Sequence, residues 1–141
     1  MSDLLHGRCV VAGVAEGEAL VTNQAMGFNF GVDSESGCVI EHGHELEGQC
    51  LKDKVLIFPT GKGSTGGSFV IYSIVRSGNG PCAMVNVESE AIIALGAIMA
   101  GIPMLDRLDR NPLSAVRTGD RVRVNSSEGT LEILSRAHEG E

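Results

Sequence analysis

The chain has no tryptophan, one tyrosine (Tyr72), four phenylalanines and only four prolines in 141 residues. Its core must therefore be built mostly from aliphatic side chains. Lysine is scarce, 3 against 8 arginines, and the 11 Lys plus Arg are outnumbered by 18 Asp plus Glu, a formal net charge of −7. Non-specific nucleic-acid binding and attraction to anionic membranes both need a basic footprint, so this balance argues against each. No apolar run approaches the roughly 20 residues of a membrane span. The first eight residues lack the basic start and apolar stretch of a secretion signal, so the expected location is cytoplasmic. Cys9, Cys38, Cys50 and Cys82 form no C-x-x-C pair. They are expected to be reduced, mostly buried thiols, and their spacing gives no support to an iron–sulfur cluster held by three of them.

What is present points to one β-rich domain. Hydrophobic residues make up 43% and charged residues 21%, a balance that favours folding over disorder. Glycine, at 19 residues, is about twice as common as usual and punctuates short Val/Ile/Leu runs. Arg8 to Gly13 and Gly17 to Thr22 read as strands with a turn at Ala15-Glu16-Gly17. Residues 23 to 37 read as loop, Cys38-Val39-Ile40 as a short strand, and Val55 to Pro59 as a buried strand. Ser68 suits the cap of a helix that stops at Gly78, and Ser89 the cap of a second that stops at Gly101. Pro81 to Val87 and Met104-Leu105 read as strands between and after these helices. Thr118 to Leu134 alternates polar and apolar on both sides of a turn, which predicts a hairpin, and residues 135 to 141 a frayed tail. The fold class is α+β, β-rich with two main helices.

The segment with most chemistry in it is Thr60-Gly61-Lys62-Gly63-Ser64-Thr65-Gly66-Gly67-Ser68, between a buried strand and a helix. Glycines let backbone approach a ligand, and a helix start adds free N–H groups and partial positive charge. Such a loop can cradle a phosphate or carboxylate, or be no more than a tight strand-to-helix turn. The phosphate-loop pattern G-x-x-x-x-G-K-[ST] nearly fits from Gly61 to Ser68, but Gly67 stands where the essential lysine belongs. Ser64 lies at the apex of the loop. To act as a base its alkoxide needs strong local stabilisation, and the helix start and Lys62 push that way. No His or Asp is its sequence neighbour. His42 and His44 suggest a metal pair but lack a third ligand and read as a solvated loop. Asp106, Arg107, Asp109 and Arg110 read as surface charges. Asp33 either orients a substrate or braces a turn.

Several segments in order carry a resemblance: Gly13 to Val21, Gly31-Val32-Asp33, Ser36 to Ile40, His44 to Gly48, Lys54 to Pro59, Gly61-Lys62-Gly63-Ser64-Thr65, and Ala94 to Ile98. Together they resemble the small subunit of aconitase X dehydratases over roughly residues 8 to 134. The resemblance implies a swivelling β/β/α domain similar to the mobile small domain of aconitase. It implies a large-subunit partner that carries the iron or iron–sulfur centre, with no cofactor and no metal held by this chain alone. It implies elimination of water from a small hydroxy acid, with Ser64 as proton acceptor and Gly61, Lys62, Gly63, Thr65, Gly31 and Asp33 around the substrate. Within the family the substrate branches are cis-3-hydroxy-L-proline and mevalonate 5-phosphate, and the lysine-poor composition leans to the first. The family usually shows Arg at Lys62, Ser at Thr65, Pro at Glu45, and a glycine where Phe30 precedes Gly31.

Two other readings remain. The Gly101-Ile102-Pro103 and Gly119 to Val122 segments are similar to a mobile phosphohistidine domain, whose chemistry needs a histidine near Ser89; His6, His42, His44 and His138 are all elsewhere. A non-catalytic swivelling interaction module is the other.

Overall fold

The structure is a computed structural model and describes residues 3–137. Eight strands and three helices follow in the order β1 (Leu4–His6), β2 (Arg8–Val11), β3 (Val14–Val21), β4 (Lys54–Phe58), α1 (Gly66–Arg76), β5 (Ala83–Asn86), α2 (Ala91–Ala100), β6 (Met104–Asp106), α3 (Pro112–Ala115), β7 (Arg121–Asn125) and β8 (Thr130–Ser135). The strands form one mixed sheet in the order β1-β8-β7-β3-β4-β5-β6-β2. Strands β3 to β6 are parallel neighbours, with α1 and α2 as crossovers, and β1, β7, β8 and β2 pair antiparallel. Only Gly7 separates β1 from β2, yet they stand at opposite ends of the order. The two ends of the sheet must therefore meet, and the sheet curls round on itself.

That closure makes two cores from period-2 patterning. Val55, Ile57, Ala83, Val85, Leu105, Val122, Val124 and Leu131 point to the inside of the curled sheet, with Leu5 and Val116. Leu56, Phe58, Met84 and Met104 alternate with them and face Ile71 and Ile74 of α1 and Ile93 and Ala97 of α2. Both faces of β4 are buried, which is why it reads as a continuous apolar run. The two helices lock together where the Ser68 hydroxyl donates to Ile92 O at 2.6 Å.

Several expectations are corrected in detail. Ala15-Glu16-Gly17 is no turn but the middle of β3. The two strands expected on either side of it do not pair with each other: β2 lies beside β6, and β3 between β7 and β4. Cys38 and Val39 make only isolated bridges. Ser68 lies inside α1, and Thr65 holds the cap position without a side-chain bond. Glu90, not Ser89, caps α2, accepting from Ile92 and Ile93 N–H. The Ser89 N–H is already committed to Asp106. Cys38 and Cys50, facing each other across a bridge, are joined as a disulfide, not reduced. Of the other two thiols, Cys9 is exposed and Cys82 partly buried. Ser135 ends β8 and Arg136 pairs with Asp120, so the expected tail is tied down that far; residues 138 to 141 lie outside the described residues.

Candidate functional site

The glycine-rich loop leaves the end of β4 and enters α1, beside the start of α2. Gly61 sits so close to α2 that a Cβ there would fall on Ile93 and on the Glu90 carboxylate that caps it. Gly63 has φ +102°, a conformation that favours glycine. Ser64 follows, exposed as expected. Helix α1 has no side-chain cap bond at Thr65 and no acidic residue in its first turn. Its partial positive charge therefore faces the loop without a side chain to neutralise it.

A second segment flanks this loop. Met26 and Gly61 form a parallel bridge, in which Met26 N–H donates to Thr60 O at 3.1 Å and Lys62 N–H to Met26 O at 3.0 Å. Met26 and Phe28 are buried, and the Phe28 ring packs against Phe58 with centroids 6.3 Å apart. After these buried residues the chain turns, leaving Asn29 half-buried and Phe30 exposed. The Asn29 side-chain amide donates to Ser64 Oγ at 2.5 Å. Phe30 is 87% exposed and has φ +70°.

Between the two segments lies an open depression of about 260 Å³ lined by Gly27, Asn29, Phe30, Gly31, Glu41, Lys62 and Gly63. Lys62 Nζ pairs with Glu41 Oε2 at 2.7 Å, and half of the Lys62 side chain stays exposed. An ammonium held on one side by a carboxylate still has donors to offer an anionic ligand.

The expected site residues divide as follows. Lys62, Gly63 and Gly31 line the depression and Ser64 stands beside it, bonded to Asn29. Gly61 and Thr65 are not in its lining: Gly61 seats the loop on α2 and Thr65 opens α1. Asp33 also lies outside the lining; its carboxylate accepts Ser36 N–H at 2.8 Å, and hydrogen bonds from Ser36 hold its pKa below the usual aspartate value. It braces a turn. The reading of residues 23 to 37 as loop missed Asn29 and Phe30 as neighbours of the glycine loop, and Glu41, beyond that range, was missed as the partner of Lys62. No local pattern marks them, because the contacts that bring them to the loop are long-range.

Other polar groups have structural work. His44 is buried, not solvated: Leu46 N–H donates to Nδ1 at 3.0 Å, so the hydrogen sits on Nε2 and points to Ala25 O at 3.1 Å. His42 is exposed beside Glu47. Asp106 is buried, not a surface charge, and grips Arg8 through two bonds of 2.8 and 2.7 Å. Among the described residues no group of three or more His, Cys, Asp or Glu side chains gathers to hold a metal. The donor set needed for an iron–sulfur centre is not assembled by these residues.

The arrangement is a serine hydroxyl on a glycine loop at a helix start, an amide donor on its oxygen, and a lysine–glutamate pair beside an open depression. The phosphomevalonate dehydratase small subunit of Methanococcoides burtonii is 46% identical over 129 residues, covering 92% of this chain and 94% of that one. That of Methanocella arvoryzae is 48% identical over 129 residues, with 92% and 98% covered. The crystal structure of Thermococcus kodakaraensis aconitase X in its holo-form superposes with a TM-score of 0.88 at 43% identity, over 94% of this chain and 98% of that one. Both relatives carry the phosphomevalonate name, which belongs to the second of the two substrate branches and not to the hydroxyproline branch that the lysine-poor composition favoured. Lysine content reports how a surface is charged, and of the three lysines only Lys62 lines the depression. The family model for the aconitase X swivel domain matches residues 4–133, and the chain belongs to that family.

Proposed function

We propose that the chain is the small subunit of a dehydratase that removes water from mevalonate 5-phosphate, acting with a large-subunit partner. The observation that carries it is the exposed Ser64 hydroxyl beside the Lys62–Glu41 depression at the start of α1. The names of its relatives support the substrate. Lysine also suits a phosphate, which it meets as a point charge, better than a carboxylate that calls for a bidentate grip.

In this mechanism the substrate's anionic group lies by Lys62, Gly63 and the first turn of α1. Ser64, as alkoxide, takes the proton from the carbon beside the acid group, and the C–H electron pair becomes the second bond of the new C=C as the C–O bond breaks. The hydroxyl leaves with the C–O electron pair and becomes water by taking one proton from a donor on the partner chain, and Ser64 gives the proton it took to solvent before the next turnover. The iron or iron–sulfur centre belongs in this proposal to the large subunit. Gly31 lets the backbone pack against Gly27, where a Cβ would fall on the Gly27 carbonyl oxygen, Gly63 supplies the positive φ of the loop, and Gly61 and Thr65 hold the loop against the helices. Leu95 and Ile98, exposed and three residues apart on α2, offer apolar surface of the kind a second chain covers.

The chain is co-expressed with its large subunit and offered mevalonate 5-phosphate and cis-3-hydroxy-L-proline in separate assays that follow alkene formation by NMR. The expected result is turnover of mevalonate 5-phosphate by the complex and by neither chain alone. Turnover of hydroxyproline only would overturn the substrate. A stable complex that dehydrates neither would favour the interaction module.

A further inference from the structure

The geometry points to Asn29 as the positioning residue for Ser64, an amide donor that holds the serine oxygen as an acceptor and stabilises it without its hydrogen. This inference rests on Ser64 being the base.

Three observations carry it. The Asn29 Nδ2–Ser64 Oγ distance is 2.5 Å, although 35 positions separate the two residues in the chain. Second, the Asn29 side chain has a built seat. A Cβ on Gly66 would meet its Cγ at 2.7 Å and both Nδ2 and Oδ1 at 2.8 Å, so the amide lies flat over the first residue of α1. Third, the segment that delivers it is pinned by the buried Met26 and Phe28 and by the bonds to Thr60 and Lys62. The amide is therefore held by the same framework that holds the loop.

The chemistry has one direction. A serine alkoxide has no hydrogen to give, so its neighbour must be a donor. Ser64 has no histidine or carboxylate bonded to it among the described residues. Hydrogen bonds to the charged form of a group favour that form, and charge-assisted bonds are about twice as strong as neutral ones. The Asn29 amide thus donates directly to the oxygen, and the start of α1, which opens right after Ser64, adds partial positive charge nearby. When the substrate carbon gives its proton to Oγ, the Asn29–Oγ bond persists in weaker form and leaves the new hydroxyl aligned to return the proton.

The test uses the complex of this chain with its large subunit and mevalonate 5-phosphate, comparing wild type with Asn29→Asp, Asn29→Ala, Gly66→Ala and Ser64→Ala. Asn29→Asp keeps the shape and removes the donor. We expect it to lower kcat about 10-fold to 100-fold, with KM changed less than about threefold. The deuterium isotope effect at the carbon that loses its proton should rise, because proton abstraction becomes the slower step. Gly66→Ala unseats the amide and should give the same signature, and combining it with Asn29→Asp should add little. In a Ser64→Ala background Asn29→Ala should cost nothing further. A wild-type kcat and isotope effect in Asn29→Asp, alongside an inactive Ser64→Ala, would remove Asn29 and leave the base in place. A Ser64→Ala complex at full rate would remove the base, and the role of Asn29 with it.

Discussion

Without the Asp106 carboxylate, the Arg8 guanidinium and the Ser89 N–H lose a shared partner, and both hold the sheet's closing strand pair to the α2 entry. Burial pushes the Asp106 pKa up, but hydrogen bonds from Arg8 and Ser89 and the Arg8 charge outweigh it and leave the carboxyl below the usual aspartate value. A carboxyl depressed on folding adds stability above its unfolded pKa, near 4, and loses it as pH falls through the folded value. Asp106→Asn should therefore destabilise the chain by about 2–3 kcal/mol at pH 7 in urea titrations, and by progressively less as pH falls below the unfolded value near 4. A loss that does not change with pH would show that the pair contributes packing and not charge. Composition placed Asp106 among surface charges because nothing in a run of alternating Asp and Arg marks which carboxylate turns inward; the closure of β2 onto β6 decides it.

At the scale of elements, the glycine loop is only as well placed as its support on α2. A Cβ at Gly61 would displace Ile93 and the Glu90 carboxylate that caps the helix. Gly61→Ala should cost about 1–3 kcal/mol by overpacking and lower kcat of the complex, read from urea midpoints and steady-state rates. An unchanged midpoint would mean that the loop rides free of α2. The sequence made β4, β5, both long helices and the β7–β8 hairpin legible, because apolar runs bounded by glycine and proline have few alternatives. It misled at Gly17, which is glycine not for a turn but because Asp53 O lies 2.7 Å and Cys82 Sγ 3.0 Å from where a Cβ would stand. It hid β1, three residues long, and the Glu90 cap, since the Glu90 carboxylate reaches the Ile92 and Ile93 N–H groups that a serine at position 89 was expected to satisfy. Of the site, Ser64, Lys62 and Gly63 could be read from one contiguous loop. Asn29 and Glu41 could not, because the strand pairing that brings them there is long-range.

For the whole molecule, the curled sheet is a rigid support and the depression is an open surface at one end of its parallel strands. Such a surface cannot by itself exclude water from a reaction. A dehydratase built this way needs the opposing wall to come from elsewhere, and closure of two bodies around substrate is the means by which mobile domains complete a site. The measurement that tests this account most directly is the rate of mevalonate 5-phosphate dehydration by the purified two-chain complex carrying Ser64→Ala. Loss of a general base predicts a fall in kcat of about 10²-fold to 10⁴-fold, with the complex still assembled and its melting temperature unchanged. A Ser64→Ala complex that eliminates water at the wild-type rate would contradict it.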